Sequence, residues 1–205
     1  MVADNLNLIR SQLPKGVTLV AVSKYYPVAT ILEAYNVGQR VFGESRALEM
    51  RDKYQESPKD IQWHFIGHLQ KNKVKYIAPF VSLIHSVDSV ELLQEIDRQA
   101  KKNSRKIKVL LEFHIAQEET KSGFKNIEDV SKIDFSSFEN IEVCGVMGMA
   151  TDTPDKSQIE QEFSHLYSIF EILKLPIMSA GMSNDYKVAI SCGSNMIRIG
   201  SAIFQ

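Results

Sequence analysis

Cysteine is scarce in this sequence: there are two, Cys144 in a strand-like run and Cys192 near a helix end, and they lack metal-ligand spacing. A disulfide framework is set aside, and both thiols are expected to be reduced and buried rather than nucleophilic. Neither sign of charge is in excess. Lys and Arg number 24 against 25 Asp and Glu, a formal net charge of -1, so nothing draws the chain generally to nucleic acid or to an anionic membrane. The basic run KKNSRKIK, Lys101 to Lys108, reads as a solvated helix end. No apolar run approaches the roughly 18 residues of a membrane span. The N-terminus MVADNLNLIRSQLP also lacks a basic region followed by an apolar core, so a cytoplasmic protein is expected. No low-complexity segment or Pro/Gly/Ser-rich linker divides the chain, which reads as one domain over residues 1–205.

What is present is a regular alternation. Strand-like segments occur at TLVAVS, RVFGE, WHFIGH, SLIHSV, KVLLEFHI, EVCGVMGM, LPIMSAG and NMIRIG, with helix-like stretches between them. A leading amphipathic helix covers about residues 3–12. Asp88 is expected to cap a helix with Glu91 in the capping-box position, Lys101 and Lys102 at its end, and Val90, Leu93, Ile96 and Ala100 on its core face. A second helix follows Thr153 and Pro154, with Ile159, Phe163, Leu166, Phe170 and Leu173 at helical spacing, and is closed by Pro176. Eight strands alternating with helices in 205 residues, 44% of them hydrophobic, fit a closed parallel (β/α)8 TIM barrel better than an open doubly wound sheet. The final helix, AIFQ, is short, and the leading helix is expected to cover the wall it leaves bare.

In such a barrel the working residues sit where strands end. The stretch TLVAVSKYYP is an apolar run of the kind buried on both faces of a parallel sheet, and Lys24 stands at its lip. Burying an ammonium costs several kcal/mol unless something compensates. Lys24 therefore either emerges into solvent or has a chemical task in a pocket. Near the C-terminus, a strand ends near Ser179, a Gly181 turn leads to Ser183 as a helix N-cap, and a last strand ends in Arg198 and Gly200. Ser179, Ser183, Gly200 and Ser201 are candidates for a phosphate cradle after strands seven and eight, or are simply turn and cap residues. Arg198 lies between Ile197 and Ile199 and faces opposite to them; an inward guanidinium needs an acid or a ligand atom as acceptor.

The motifs AVSKYYP, FGESRALEM, WHFIGHLQKNK, KSGF, GVMGMA, SAGMSNDYKVAI and GSNMIRIGSAIF run in order along nearly the whole chain. Together they resemble the pyridoxal phosphate homeostasis proteins, relatives of the N-terminal barrel domain of alanine racemase. The resemblance implies a fold-type-III barrel that binds pyridoxal 5'-phosphate (PLP). Lys24 would form a Schiff base with it, Arg198 would face the pyridine nitrogen, and the loops around Ser179, Ser183, Gly200 and Ser201 would hold the phosphate. Two positions depart from the family pattern: Ser45 stands where Asn is usual and Asn195 where Thr is usual.

An arginine does not readily give a proton to the ring nitrogen, its own pKa being above about 12, so the ring is a poor electron sink and transamination is not expected. In the resembled racemase a second acid/base comes from a C-terminal β-domain, which is not expected here because the chain ends at Gln205 after the eighth strand. Of the internal substitutes, Tyr25, Tyr26, His64 and His85 read as packed or hydrogen-bonded structure, and His68 as the start of a helix. Lys71, Lys73, Lys75 and Lys121 read as solvated positions, and Glu44 as a partner for an inward cation. The resemblance implies a cytoplasmic monomer that takes part in intracellular PLP homeostasis, delivering PLP to apo-enzymes and meeting other B6 vitamers. The alternatives are a low-activity amino-acid racemase and an unrelated barrel with a Schiff-base lysine acting on a sugar phosphate.

Overall fold

The computed structural model describes residues 1–118 and 122–205. Strands β1 (Thr18–Val22), β2 (Val41–Glu44), β3 (Gln62–Phe65) and β4 (Leu83–Val87) are followed by β5 (Ile107–Phe113), β6 (Ile141–Gly148), β7 (Ile177–Ser179) and β8 (Met196–Ile199). Each pairs in parallel with the next, and β8 pairs with β1 to close the barrel. The expected eight strands are therefore all present, in the expected order.

Side-chain parity sorts the residues of each strand between two cores. Along β1, Leu19 and Ala21 join the large apolar cluster under the surrounding helices, while Val20 packs inside the barrel with Leu83, Leu110, Cys144, Met147 and Met196. Along β8, Ile197 and Ile199 join the outer cluster and Met196 the inner one. Arg198 shares the parity of Met196 and is paired in register with Val20. Continued from Val20 past the end of β1, the same alternation runs through Val22 to Lys24.

Helix α1 (Val2–Gln12) buries Val2, Leu6 and Ile9, one stripe at helical spacing. Its Asn5 Nδ2 donates to the carbonyls of Ile203 (3.1 Å) and Gln205 (3.2 Å), at the end of the short α9 (Ser201–Phe204). The leading helix thus covers the wall beside that short helix. Between β1 and β3 lie α2 (Val28–Asn36) and α3 (Ala47–Glu56), and α4 (Val74–Ile77) precedes β4.

Helix α5 (Val90–Lys102) differs from expectation at its start. Its N-cap is Ser89, not Asp88, and no side chain caps it, because Asp88 instead accepts the Ser89 hydroxyl at 3.0 Å. The first turn shifts by one residue, so the buried stripe includes Leu92 and leaves Val90 half-buried. After α6 (Ile127–Ser131), helix α7 (Lys156–Leu173) is capped by Asp155, whose carboxylate accepts the amides of Ser157 (2.9 Å) and Gln158 (3.3 Å). It stops at Lys174, which is left-handed at φ 52°. Helix α8 (Tyr186–Ser191) lies between β7 and β8. No helix among the described residues is long and apolar enough to cross a membrane.

Candidate functional site

A cavity of about 800 Å³ opens at the C-terminal ends of the strands. Lys24 reaches it from the end of β1, with no hydrogen-bond or ion-pair partner for its ammonium among the described residues; Nζ stands 5.7 Å from the centroid of the Tyr25 ring. The backbone that carries Lys24 is gripped on both sides. Lys53 on α3 donates to the Ser23 carbonyl at 2.8 Å, and Glu49 accepts the Tyr25 amide at 2.9 Å. Lys53 also donates to Glu44 (2.8 Å) and Glu49 (2.7 Å), so its three protons are all engaged. Tyr25 is held in the left-handed region at φ 70°, a conformation that costs a non-glycine residue about 1–3 kcal/mol and persists only when its surroundings enforce it. Glu44 takes the role of partner to an inward cation, and it also accepts the Ser23 hydroxyl at 2.6 Å.

Arg198 lies beneath the cavity and contributes to its lining. Its guanidinium donates to the Ser179 carbonyl (2.9 Å), the Ser179 hydroxyl (2.7 Å) and the Gly148 carbonyl (3.2 Å). Burial lowers its pKa to about 10, against the opposing pull of Asp185 and Glu112. Behind Ser179 runs a chain of buried groups: Ser179 Oγ lies 3.0 Å from His85 Nδ1, and His85 Nε2 lies 3.0 Å from His64 Nδ1. Burial pushes His64 down to about 3, and burial with the nearby His64 and Arg198 pushes His85 well below the ordinary histidine range. Both rings are therefore neutral. The chain is satisfied when Arg198 donates to Ser179, Ser179 to His85 and His85 to His64.

The remaining sequence candidates divide by position. Ser183, Gly200 and Ser201 line the same cavity as Lys24 and Arg198, and the hydroxyls of Ser183 and Ser201 meet at 3.1 Å, joining the loops after β7 and β8. Neither of their amides donates a hydrogen bond to a described residue. Ser183 does not cap a helix: α8 starts at Tyr186, because Asp185 turns its carboxylate back to the Met182 amide at 2.5 Å and closes a turn first. Gly181 begins that turn at φ +98°, where an added Cβ would lie 2.8 Å from the Tyr186 Cα. Ser179 is fully buried under the cavity, its hydroxyl shared by Arg198 and His85.

The sequence matches the family described as Alanine racemase, N-terminal domain, over residues 1–205. It is 37% identical over 195 residues to the pyridoxal phosphate homeostasis protein of Aquifex aeolicus, an alignment covering 91% of this chain and 85% of that one. The chain belongs to the pyridoxal phosphate homeostasis protein family. PipY of Synechococcus elongatus PCC7942, solved with PLP bound, is 32% identical and superposes with a TM-score of 0.88 over 100% of both chains. An alanine racemase of Clostridium difficile is 18% identical with a TM-score of 0.79, covering 98% of this chain and 56% of that one, and shares the fold.

In this member of the pyridoxal phosphate homeostasis family, Ser45 and Asn195, read from the sequence as departures from the family pattern, fall in different places. Ser45 lines the cavity. Asn195 ties β7 to β8, accepting the Met178 amide at 2.9 Å and donating to the Pro176 carbonyl at 2.8 Å. His68 does not begin a helix; it stands in a loop at the cavity rim, 3.6 Å from Asp88. Tyr26 stacks on Phe204 with centroids 4.9 Å apart. Lys71 and Lys75 are exposed and Lys73 is half-buried, while Lys121 lies outside the described residues.

Two residues of the cavity wall were not singled out from the sequence. Ser86, on β4, is buried with no hydrogen-bond partner for its hydroxyl among the described residues. Glu112, on β5, is 3% exposed, and its pKa is raised to about 7 by burial, with Asp88 adding to the shift and Arg198 opposing it. Parity within KVLLEFHI, which places Glu112 on the same side as the inward Leu110, was the available signal.

Proposed function

We propose that this protein binds PLP as a Schiff base on Lys24 and serves intracellular PLP homeostasis, holding the reactive aldehyde and handing it to apo-enzymes. The observation that carries this reading is the convergence of Lys24 and Arg198 on one cavity rimmed by Ser183, Gly200 and Ser201, in a chain 32% identical over its whole length to PipY, solved with PLP bound.

The residues present fit such a ligand. Among the described residues Lys24 is an amine without a partner, the two serine loops offer free amides, and the Ser86 hydroxyl is an orphaned buried group in the same wall. Free main-chain amides and paired hydroxyls suit a phosphate. We assign that contact to Ser183, Gly200 and Ser201, with Ser179 acting one step removed by holding the Arg198 guanidinium. When bound, PLP supplies an aldehyde carbon and an electron-withdrawing ring. Arg198 gives the ring nitrogen a hydrogen-bond donor that keeps its proton, which fits storage better than carbanion chemistry. The grip of Lys53 and Glu49 fixes the point from which the Lys24 side chain departs. His64 and His85 remain neutral and structural. We place the protein in the cytoplasm as a monomer, where the free thiols of Cys144 and Cys192 suit a reducing compartment.

The test is the visible absorption spectrum of the purified protein incubated with PLP, compared with Lys24→Ala, followed by borohydride reduction and peptide mapping. A chromophore fixed to Lys24 is expected. A colourless wild type, or label recovered on another residue, overturns the assignment. Steady conversion of L- to D-alanine that disappears in Lys24→Ala makes the protein a racemase instead.

A further inference from the structure

We propose that the cavity wall formed by Ser86 and Glu112 is a subsite for a small primary ammonium ion, the amine that displaces Lys24 from the bound cofactor. The displacement step rests on the PLP reading above; the subsite itself does not.

Ser86 precedes Val87 and Glu112 follows Leu111, and Val87 and Leu111 are register partners, so the two side chains stand on neighbouring strands. Both line the cavity. The Ser86 hydroxyl is closed to solvent and unpartnered among the described residues. The Glu112 carboxylate is nearly as deep; no described residue donates a hydrogen bond to it, and its charged neighbours are Asp88 and Arg198. Buried polar groups are almost always bonded, and an exception asks for a missing partner. Two acceptors set diagonally on neighbouring strands of one cavity wall, offset by two residues along them, call for a small ligand rich in donors, and a primary ammonium brings three N–H groups and the opposite charge.

Placement adds a second argument. Strands β4 and β5 lie across the closed barrel from the neighbouring β8 and β1. The cavity thus has an anion-facing rim at Ser183 and Ser201 on one side and an acceptor pair at Ser86 and Glu112 on the other, with Lys24 also opening into it. An amine seated on Glu112 would share this cavity with the carbon carried by Lys24. In the exchange, the ammonium gives one proton to the Glu112 carboxylate, and its freed lone pair adds to the carbon double-bonded to the Lys24 nitrogen. The two protons left on the incoming nitrogen pass to the Lys24 nitrogen as its bond to that carbon breaks, and Lys24, leaving as an amine, takes the third proton back from Glu112. One carbon–nitrogen double bond replaces another and no redox partner is needed. Small free amines would then set how fast the carrier unloads.

Two measurements decide the matter. In the first, protein without cofactor and labelled with 13C at its glutamate carboxyls is titrated with methylammonium chloride, with tetramethylammonium chloride as the ionic control. A saturating shift of the one carboxyl resonance that disappears in Glu112→Gln, seen with methylammonium only, is expected. Equal responses to both salts, or no response at that resonance, overturn the subsite. In the second, PLP-loaded protein is diluted with and without methylamine at constant ionic strength, and loss of the Lys24-linked chromophore is followed. The ratio of the two rates is expected to fall about tenfold in Glu112→Gln and about threefold in Ser86→Ala, as for loss of a charged and a neutral hydrogen bond. Equal ratios in wild type and both variants overturn the displacement role. A wild type that forms no Lys24 chromophore overturns the PLP reading instead, and the carboxyl titration still decides the subsite.

Discussion

Lys53 donates to the main-chain carbonyl of Ser23 at 2.8 Å, and through that bond a helix outside the barrel holds the peptide that presents Lys24. The same ammonium pairs with Oε1 of Glu44, which is fully buried, and with Glu49, which in turn holds the Tyr25 amide. One cation therefore fixes both neighbours of Lys24. Burial raises the pKa of that Glu44 carboxyl, and the Lys53 and Ser23 bonds offset only part of the shift.

Removing that cation is expected to be costly. Lys53→Met leaves Glu44 buried without a charge partner and removes a donor from the Ser23 carbonyl, and a loss of about 3–5 kcal/mol is expected. Urea unfolding of the variant measures it. A loss below about 1 kcal/mol would mean that the network contributes geometry and little stability. Glu44→Gln in the Lys53→Met background is expected to recover part of the loss.

Ser179 joins Arg198 to the histidine pair, so Ser179→Ala removes an acceptor from the guanidinium and the partner of His85 Nδ1 at once. A destabilisation of about 1–3 kcal/mol follows from leaving a buried group unpaired. If Ser179 acts on the cofactor only through Arg198, the absorption maximum of bound PLP shifts while phosphate-dependent affinity changes little. Titration with pyridoxal beside PLP separates the two effects: an equal loss of affinity for both places Ser179 away from the phosphate.

Arg198→Lys keeps the charge but gives up the planar fork that bonds Ser179 and Gly148 together. Affinity for PLP is expected to fall at least about tenfold, the cost of a charge-assisted hydrogen bond, and the chromophore to shift. Spectroscopic titration of the variant checks both, and unchanged affinity would remove Arg198 from the site.

The dependence of stability on pH has two limbs. Glu112 titrates about 7 in the folded chain against an ordinary 4.5, so between those values the native state holds a proton that the unfolded chain has released. Stability is therefore expected to fall as pH rises through this window, by about 3 kcal/mol in total. Glu112→Gln is expected to flatten this limb. His64 is displaced the other way, to about 3 from 6.5, so stability is expected to fall as pH drops below 6.5, where the unfolded chain takes up the proton. Denaturant midpoints between pH 4 and pH 8, for wild type and variant, resolve the two limbs.

The strands were legible because each is a short apolar run between turn residues, and every one of the eight falls where its run was read. The starts of helices were less so. Asp88 and Ser89 both qualify as caps, and the choice fell to Ser89 through a contact between those two side chains that leaves the helix uncapped. Ser183 failed as a cap for a related reason, since Asp185, two residues on, captured the Met182 amide first.

From the amino-acid order alone came the barrel, the inward direction of Arg198 and the position of Lys24 at a strand lip, because apolar periodicity and side-chain parity are local properties of the chain. What only the closed structure decided is which groups meet across it. Ser179 spends its hydroxyl on Arg198 and His85, Lys53 reaches from a helix to the peptide beside Lys24, and Glu112 and Ser86 line one cavity wall. The physical reason is that hydrogen bonding and desolvation depend on distances between residues far apart in sequence, and those distances exist only once β8 has closed against β1.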